Sequence, residues 1–320
     1  MAAAAENWVK SCEICATNGR PEKPTPMKRI FAPQAVWDTI ALDFNGPYMK
    51  YNGISILVLV DYRSRYLMAH PVKTTKFEHT RNVLEEIFAR EGFPRIIRSD
   101  NGPPFNGEEY AAYCAQRGIQ TIYSTPLFPQ QNGLVENYMK LINRAMSTAA
   151  SGNKNFIYEL RAVVNAHNAA NHTVTGFPPE EVFLGRKIKR RLPLLTYKRA
   201  DFSDDVLNKR DKEAKLRGKQ QEDARRGARK YNVKPGDSVI IERTNRGKGD
   251  TRFAPHRYTV VRENNGNLVL SSNGQILRRH VSQVKKVFEW RHNFNHPAEE
   301  IKKRPMREKR TPEYLTDFVH

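Results

Sequence analysis

Cysteine is scarce in this sequence: Cys12, Cys15 and Cys114 are the only three in 320 residues. That is too few for a disulfide scaffold and suits a reducing interior. Long apolar runs are missing too. No stretch approaches the length of a membrane span, and the opening "MAAAAENWVK" lacks the apolar run of a signal peptide. The expectation is a protein of the cytosol or nucleus with no membrane partner. Histidine is absent before His70, so the Cys12-x2-Cys15 pair has no imidazole upstream of it. Acidic residues are outnumbered, 34 Asp and Glu against 54 Lys and Arg, for a net charge of +20. The imbalance is local: residues 1–185 hold 19 basic against 17 acidic, residues 186–320 hold 35 against 17. The second half is therefore where a polyanion should bind, unless the charge only solvates a surface or tail. "RKIKRR" (186–191) and "KKRPMREKR" (302–310) could equally act as nuclear localisation signals.

What is present is dense patterning from Val36 onward, after a Pro- and Lys-rich lead-in that reads as a linker over residues 19–34. "VWDTIALDF" (36–44) reads as a strand ended by Asn45-Gly46-Pro47. "GISILVLVDY" and "YLMAHPV" follow as two buried strands around a tight turn at Arg63-Ser64. Residues 76–90 fit a helix stopped by Gly92 and Pro94. "RIIRSD" is a short strand ending at Asp100; residues 108–117 read as a helix and 119–124 as a fifth strand. Leu134, Tyr138, Leu141, Ile142, Ala145 and Ala149 then recur at the spacing of a core-facing helix. Helices over 154–171 and 177–186 complete the series. The order implies an α/β fold, a mixed five-stranded sheet covered by helices.

Three acids occupy element ends in this scheme. Asp43 lies near the end of the first strand, Asp100 at the end of the fourth, and Glu136 at the start of the long helix. Each has an ordinary alternative: Asp43 and Asp100 precede turn residues, and Glu136 with Lys140 makes a favourable i,i+4 surface pair. If the three converge at strand ends, they would repel one another without cations between them. Two Mg²⁺ or Mn²⁺ ions suit oxygen ligands and in-line phosphodiester displacement.

The strings around these acids carry a resemblance. Asp43 in "LDFNGP", Asp100 in "RSDNGPPF" and Glu136 in "FPQQNGLVEN", with 35 residues between the last two, resemble the D,D-35-E signature of retroviral and retrotransposon integrases, above all the Ty3/gypsy class. The likeness runs over roughly residues 8–287. It implies an RNase H-like core at 35–186, a metal-binding triad of Asp43, Asp100 and Glu136, and a chain that joins element DNA to target DNA, as a homo-oligomer on DNA in the nucleus. It also implies that Lys140 contacts the element's DNA end, and that Gln130, Gln131 and Asn132 belong to a mobile active-site loop able to touch DNA. Phe128 stands where many relatives have His or Trp, and Pro103-Pro104 replaces a polar residue. Asp61 is read as a turn residue and Cys114 as core packing.

Toward the ends, "WVKSCEICATNGRPEKP" resembles the close of the family's His-His-Cys-Cys zinc module, but Cys12 and Cys15 supply only half a tetrahedral shell. Residues 1–18 are therefore expected to be a mobile remnant holding no zinc. Residues 187–231 are charged and show no clear apolar stripe after Leu195, and "DKEAKLRGKQQEDARRGARK" reads as an exposed helix or a flexible connector. Residues 232–288 alternate as short strands, with hairpin signals at Asn265-Gly266 and Asn273-Gly274. This resembles the small SH3-like barrel that closes gypsy-class integrases, with Arg278 and Arg279 in "RRHVSQVKK" as DNA contacts; a protein-binding barrel is the alternative. Residues 289–320 form a basic tail. A domesticated DNA-binding protein that has kept the fold without recombination is the second reading of the whole.

Overall fold

The computed structural model describes residues 9, 12–19, 24–27, 29–125, 133–188 and 203–288. A helix, α1 (Glu13–Asn18), is followed by β1 (Thr39–Tyr48), β2 (Ile54–Asp61), β3 (Leu67–Val72), α2 (Phe77–Glu91), β4 (Ile96–Ser99), α3 (Glu108–Gln116) and β5 (Gln120–Tyr123). Then come α4 (Gly133–Ser151), α5 (Phe156–Ala169), α6 (Pro179–Leu184) and α7 (Asp204–Arg226). Strands β6 (Ser238–Glu242), β7 (Phe253–Asn264), β8 (Asn267–Ser272), β9 (Gln275–His280) and β10 (Val284–Lys286) close the series. Among the described residues no helix is long and apolar enough to cross a membrane.

The first sheet has the order β3-β2-β1-β4-β5, antiparallel between the first three strands and parallel from β1 to β4 and β5. This is the mixed sheet expected from the element order. Both faces are covered, and β2 is accordingly buried along nearly its whole length. Ile40, Leu42, Leu57 and Leu59 meet Leu84, Ile87 and Phe88 of α2 and Tyr110, Tyr113 and Cys114 of α3. Ala41, Ile56, Val58 and Val60 face Val135, Tyr138, Ile142 and Met146 of α4 and Leu160 of α5. Cys114 is core, as read from sequence, and burial pushes its thiol up to about 11. Asp61 is a turn acid: its carboxylate accepts from Trp37 N, Ser64 N and Ser64 Oγ.

Three expectations need correction. Asn45-Gly46-Pro47 does not end β1. The strand runs on to Tyr48 through an irregularity in its register with β2, which is where a strand tolerates Gly and Pro. The second correction concerns the charged connector, which includes the 23-residue helix α7 packed on the core. Leu207 is fully buried against Phe177, Val182, Ala32 and Val36. Asp211 is buried and accepts from Arg65 Nη2 at 2.8 Å, Ala32 N at 2.9 Å and Lys215 Nζ at 2.7 Å. Arg63 donates to Asp204, to Asn208 Oδ1 and to the Pro33 carbonyl. Gly176 sits at positive φ beneath the Arg210 guanidinium of α7, a backbone conformation that favours glycine. Leu207→Ala should destabilise the chain by about 2–5 kcal/mol, the usual range for a buried leucine. Chemical denaturation of the full chain measures this, and a change within error would show that α7 is not part of the folded unit.

The third correction is at the N-terminus, where residues 13–18 are a helix seated on the second sheet rather than a loose remnant. That sheet is antiparallel, SH3-like, with the order β10-β6-β7-β8-β9. Its core is Val239, Ile241, Val260, Leu268, Leu270, Val281 and Val284. On the outside, Ala16 of α1 packs with Ile240, Phe253 and Val287, and Lys285 Nζ donates to the Ala16 carbonyl at 3.2 Å.

Candidate active site

Register places the first two acids. Strands β1 and β4 pair in parallel as Thr39↔Ile96, Ile40↔Ile97 and Ala41↔Arg98. Two residues further along each strand come Asp43 and Asp100. They therefore lie level, and on the face of Ala41, since side chains alternate with period 2. That face is the one α4 covers. The helix runs alongside β1: Asn45 Nδ2 donates to the Met139 carbonyl at 3.3 Å, and the Tyr48 hydroxyl to Asn143 Oδ1 at 2.6 Å. Glu136 stands three residues before Met139 on that helix, so the three acids come from three separate elements on one side of the sheet.

Their side chains are not drawn to one point. Among the described residues no group of three His, Cys, Asp or Glu side chains is arranged to hold a metal ion. Asp43 Oδ1 accepts from the Phe44 backbone N–H at 2.8 Å. Asp100 folds its carboxylate back over Gly102, with Oδ2 2.8 Å from where a Cβ would stand, so the glycine leaves room for this acid. The carboxylates of Asp100 and Glu136 make no ion pair or hydrogen bond among the described residues. The i,i+4 pair of Glu136 with Lys140 is accordingly not formed, and Lys140 is exposed one turn further along α4. Glu136, half-buried, lines a cleft between α4, α5 and α7.

The other expected contacts are spread out. Gln130, Gln131 and Asn132 lie outside the described residues. On the second sheet, Arg278 pairs with Val269 and Arg279 with Leu268. Leu268 faces the core, so the two arginines point to opposite faces of β9 and do not form one patch. Sequence reading missed the partner that Arg278 does have: Arg262 also pairs with Val269, which sets Arg262 and Arg278 in one exposed cross-strand row. The alternation within "RYTVVREN" was the available signal. Arg63 and Arg65 were likewise missed as functional-looking groups, being read only as turn residues.

Comparison with known proteins fits this geometry. Residues 34–129 match the integrase core domain family. An uncharacterised Caenorhabditis elegans protein is 30% identical over 191 residues, covering 59% of this chain and 15% of that protein. The Pro-Pol polyprotein of feline foamy virus is 28% identical over 56% of this chain and 16% of the polyprotein. The chain thus spans about a sixth of the length of these curated relatives. A chain of the simian T-cell lymphotropic virus intasome, solved in complex with the PP2A regulatory subunit B56 gamma, shares the fold with a TM-score of 0.63 at 17% identity, over 91% of this chain and 92% of that one. By these comparisons residues 34–129 resemble an integrase core domain, and the chain is similar to a stretch of retroviral Pro-Pol polyproteins.

Proposed function

We propose that this chain is an integrase of the Ty3/gypsy class, which trims the 3′ end of element DNA and then joins the freed 3′-OH to a target phosphodiester. The observation that carries the reading is the level placement of Asp43 and Asp100 on adjacent parallel strands, under the helix bearing Glu136, inside an integrase core domain. The donor set fits Mg²⁺ or Mn²⁺: hard carboxylate oxygens, with the carboxylates of Asp100 and Glu136 making no ion pair among the described residues. When bound, such ions activate the attacking oxygen and stabilise the leaving one. The residues themselves have simpler tasks. Asp43, Asp100 and Glu136 supply ligand charge; the sheet holds the first two at fixed spacing; Lys140 meets incoming phosphate from the same helix face.

In this reading residues 35–186 are the catalytic unit and 232–288 the DNA-binding barrel, acting as a homo-oligomer on DNA in the nucleus. Arg262 and Arg278 give the barrel a phosphate-facing row. Affinity of the full chain for duplex DNA should fall linearly on a log–log plot against salt, as released counterions require. Replacing both arginines with Gln should lower the magnitude of that slope by roughly 2. An unchanged slope would move the DNA surface elsewhere.

The deciding experiment incubates the full chain with an oligonucleotide duplex carrying the element end, plus Mn²⁺ or Mg²⁺, and resolves trimmed and joined products on a gel. Products support the integrase reading. DNA binding without products favours the second reading, a domesticated DNA-binding protein.

A further inference from the structure

A cleft of about 1040 Å³ lies between the long helix α4, the loop after α5, and α7. Its wall holds Arg65, Tyr138, His172 and Lys215, with Arg225 and Arg226 at the α7 end. These donors outnumber the acids Glu136 and Glu222 that also line it. Two of the donors are deeply buried without an acceptor: Arg65 Nε and the Tyr138 hydroxyl have no partner among the described residues. Arg65 is only 4% exposed and its Nη2 is engaged by Asp211, which fixes the guanidinium in place. His172 accepts from Val174 N at Nδ1, so its neutral ring carries the proton on Nε2 and is a further donor. Burial and the neighbouring Arg65 bring the His172 imidazolium down to about 4, which keeps that ring neutral at physiological pH.

Buried polar groups in a native fold are ordinarily paired, and a concave site rich in fixed N–H donors recognises oxyanions. We propose that this cleft binds a small, multiply charged phosphate compound, held by Arg65, Lys215, His172 and Tyr138. Depth separates such a ligand from duplex DNA: Arg65 and Tyr138 are 4% and 6% exposed, within reach of a small group that enters the cleft but not of a duplex lying across the surface. Because α4, the loop after α5 and α7 all contribute, occupancy would strengthen the hold of the connector helix on the core.

Pyrophosphate is the probe, titrated calorimetrically into the full chain at constant ionic strength. Saturable binding at one site per chain is expected, at least tenfold weaker in His172→Gln and in Lys215→Gln, and unchanged in Arg90→Gln at the exposed end of α2. Circular dichroism of each variant confirms the fold. His172→Gln is the safer of the two, since it leaves the Asp211 ion pairs intact. The absence of saturable heat, binding that survives both cleft substitutions, or equal loss in Arg90→Gln would overturn the proposal. So would displacement of pyrophosphate by a short single-stranded oligonucleotide at matched phosphate concentration, which would assign the cleft to a DNA strand.

Discussion

Asp100→Asn should abolish metal-dependent joining of oligonucleotides while leaving the thermal unfolding curve in place. The substitution keeps volume and shape but removes the ligand charge. Loss of even an outer-shell partner typically costs about 10–100-fold, so loss of a ligand should exceed roughly 100-fold. The fold should be indifferent, because the Asp100 carboxylate makes no ion pair or side-chain hydrogen bond among the described residues. Gel quantitation of joined product alongside calorimetry separates the two effects. Full activity in Asp100→Asn would remove this residue from the site and leave Asp43 and Glu136 without their proposed partner.

Asp211→Ala should be among the most damaging substitutions outside the sheet core. Both members of its pair with Arg65 are almost completely buried, 2% and 4% exposed. Truncating the acid strands a guanidinium in the interior and takes an acceptor from Ala32 N. Breaking such a pair from one side costs about 3–5 kcal/mol. At about 2–4 °C per kcal/mol for domains of 150–250 residues, the midpoint should fall by roughly 10 °C. Asp204→Ala is the contrast. Asp204 is 67% exposed, and Arg63 keeps the Pro33 carbonyl and Asn208 when it is lost. Equal shifts for the two substitutions would show that burial does not set the cost.

How far these features were readable from sequence depends on which periodicity they used. The continuous apolar run in "GISILVLVDY" and the helical spacing of Tyr138, Ile142, Ala145 and Ala149 announce the first sheet and α4, because burial of those side chains is what orders them. Val135 and Met146 proved more buried than Leu134 and Leu141, a small rotation of the same stripe. The docked face of α7 also repeats with helical spacing, through Asp204, Leu207, Asn208, Asp211 and Lys215. It is mostly polar, so a search for apolar stripes passes over it. Its partners, Arg63 and Arg65, sit in a turn more than a hundred residues upstream. For the site, strand and helix assignments were enough to set Asp43 and Asp100 level on paired strands, with Glu136 on the helix over that face. Their side-chain directions depend on hydrogen bonds such as Phe44 N to Asp43, which no spacing encodes.

The seat of α1 on the barrel gives the chain a second tether. One connection from core to barrel is α7 and its flanks. The other leads from the start of the first strand back through the segment whose Met27 N–H is accepted by Asp223 of α7, and ends at Ala16 against Ile240 and Phe253. A module held by two lines has a smaller swing than one on a single hinge, and each line raises the local concentration at which the other reattaches. Cutting the chain just after Asn18 would therefore lengthen the reach of the barrel while sparing its interior, which Val239, Val260 and Leu270 build without help from α1.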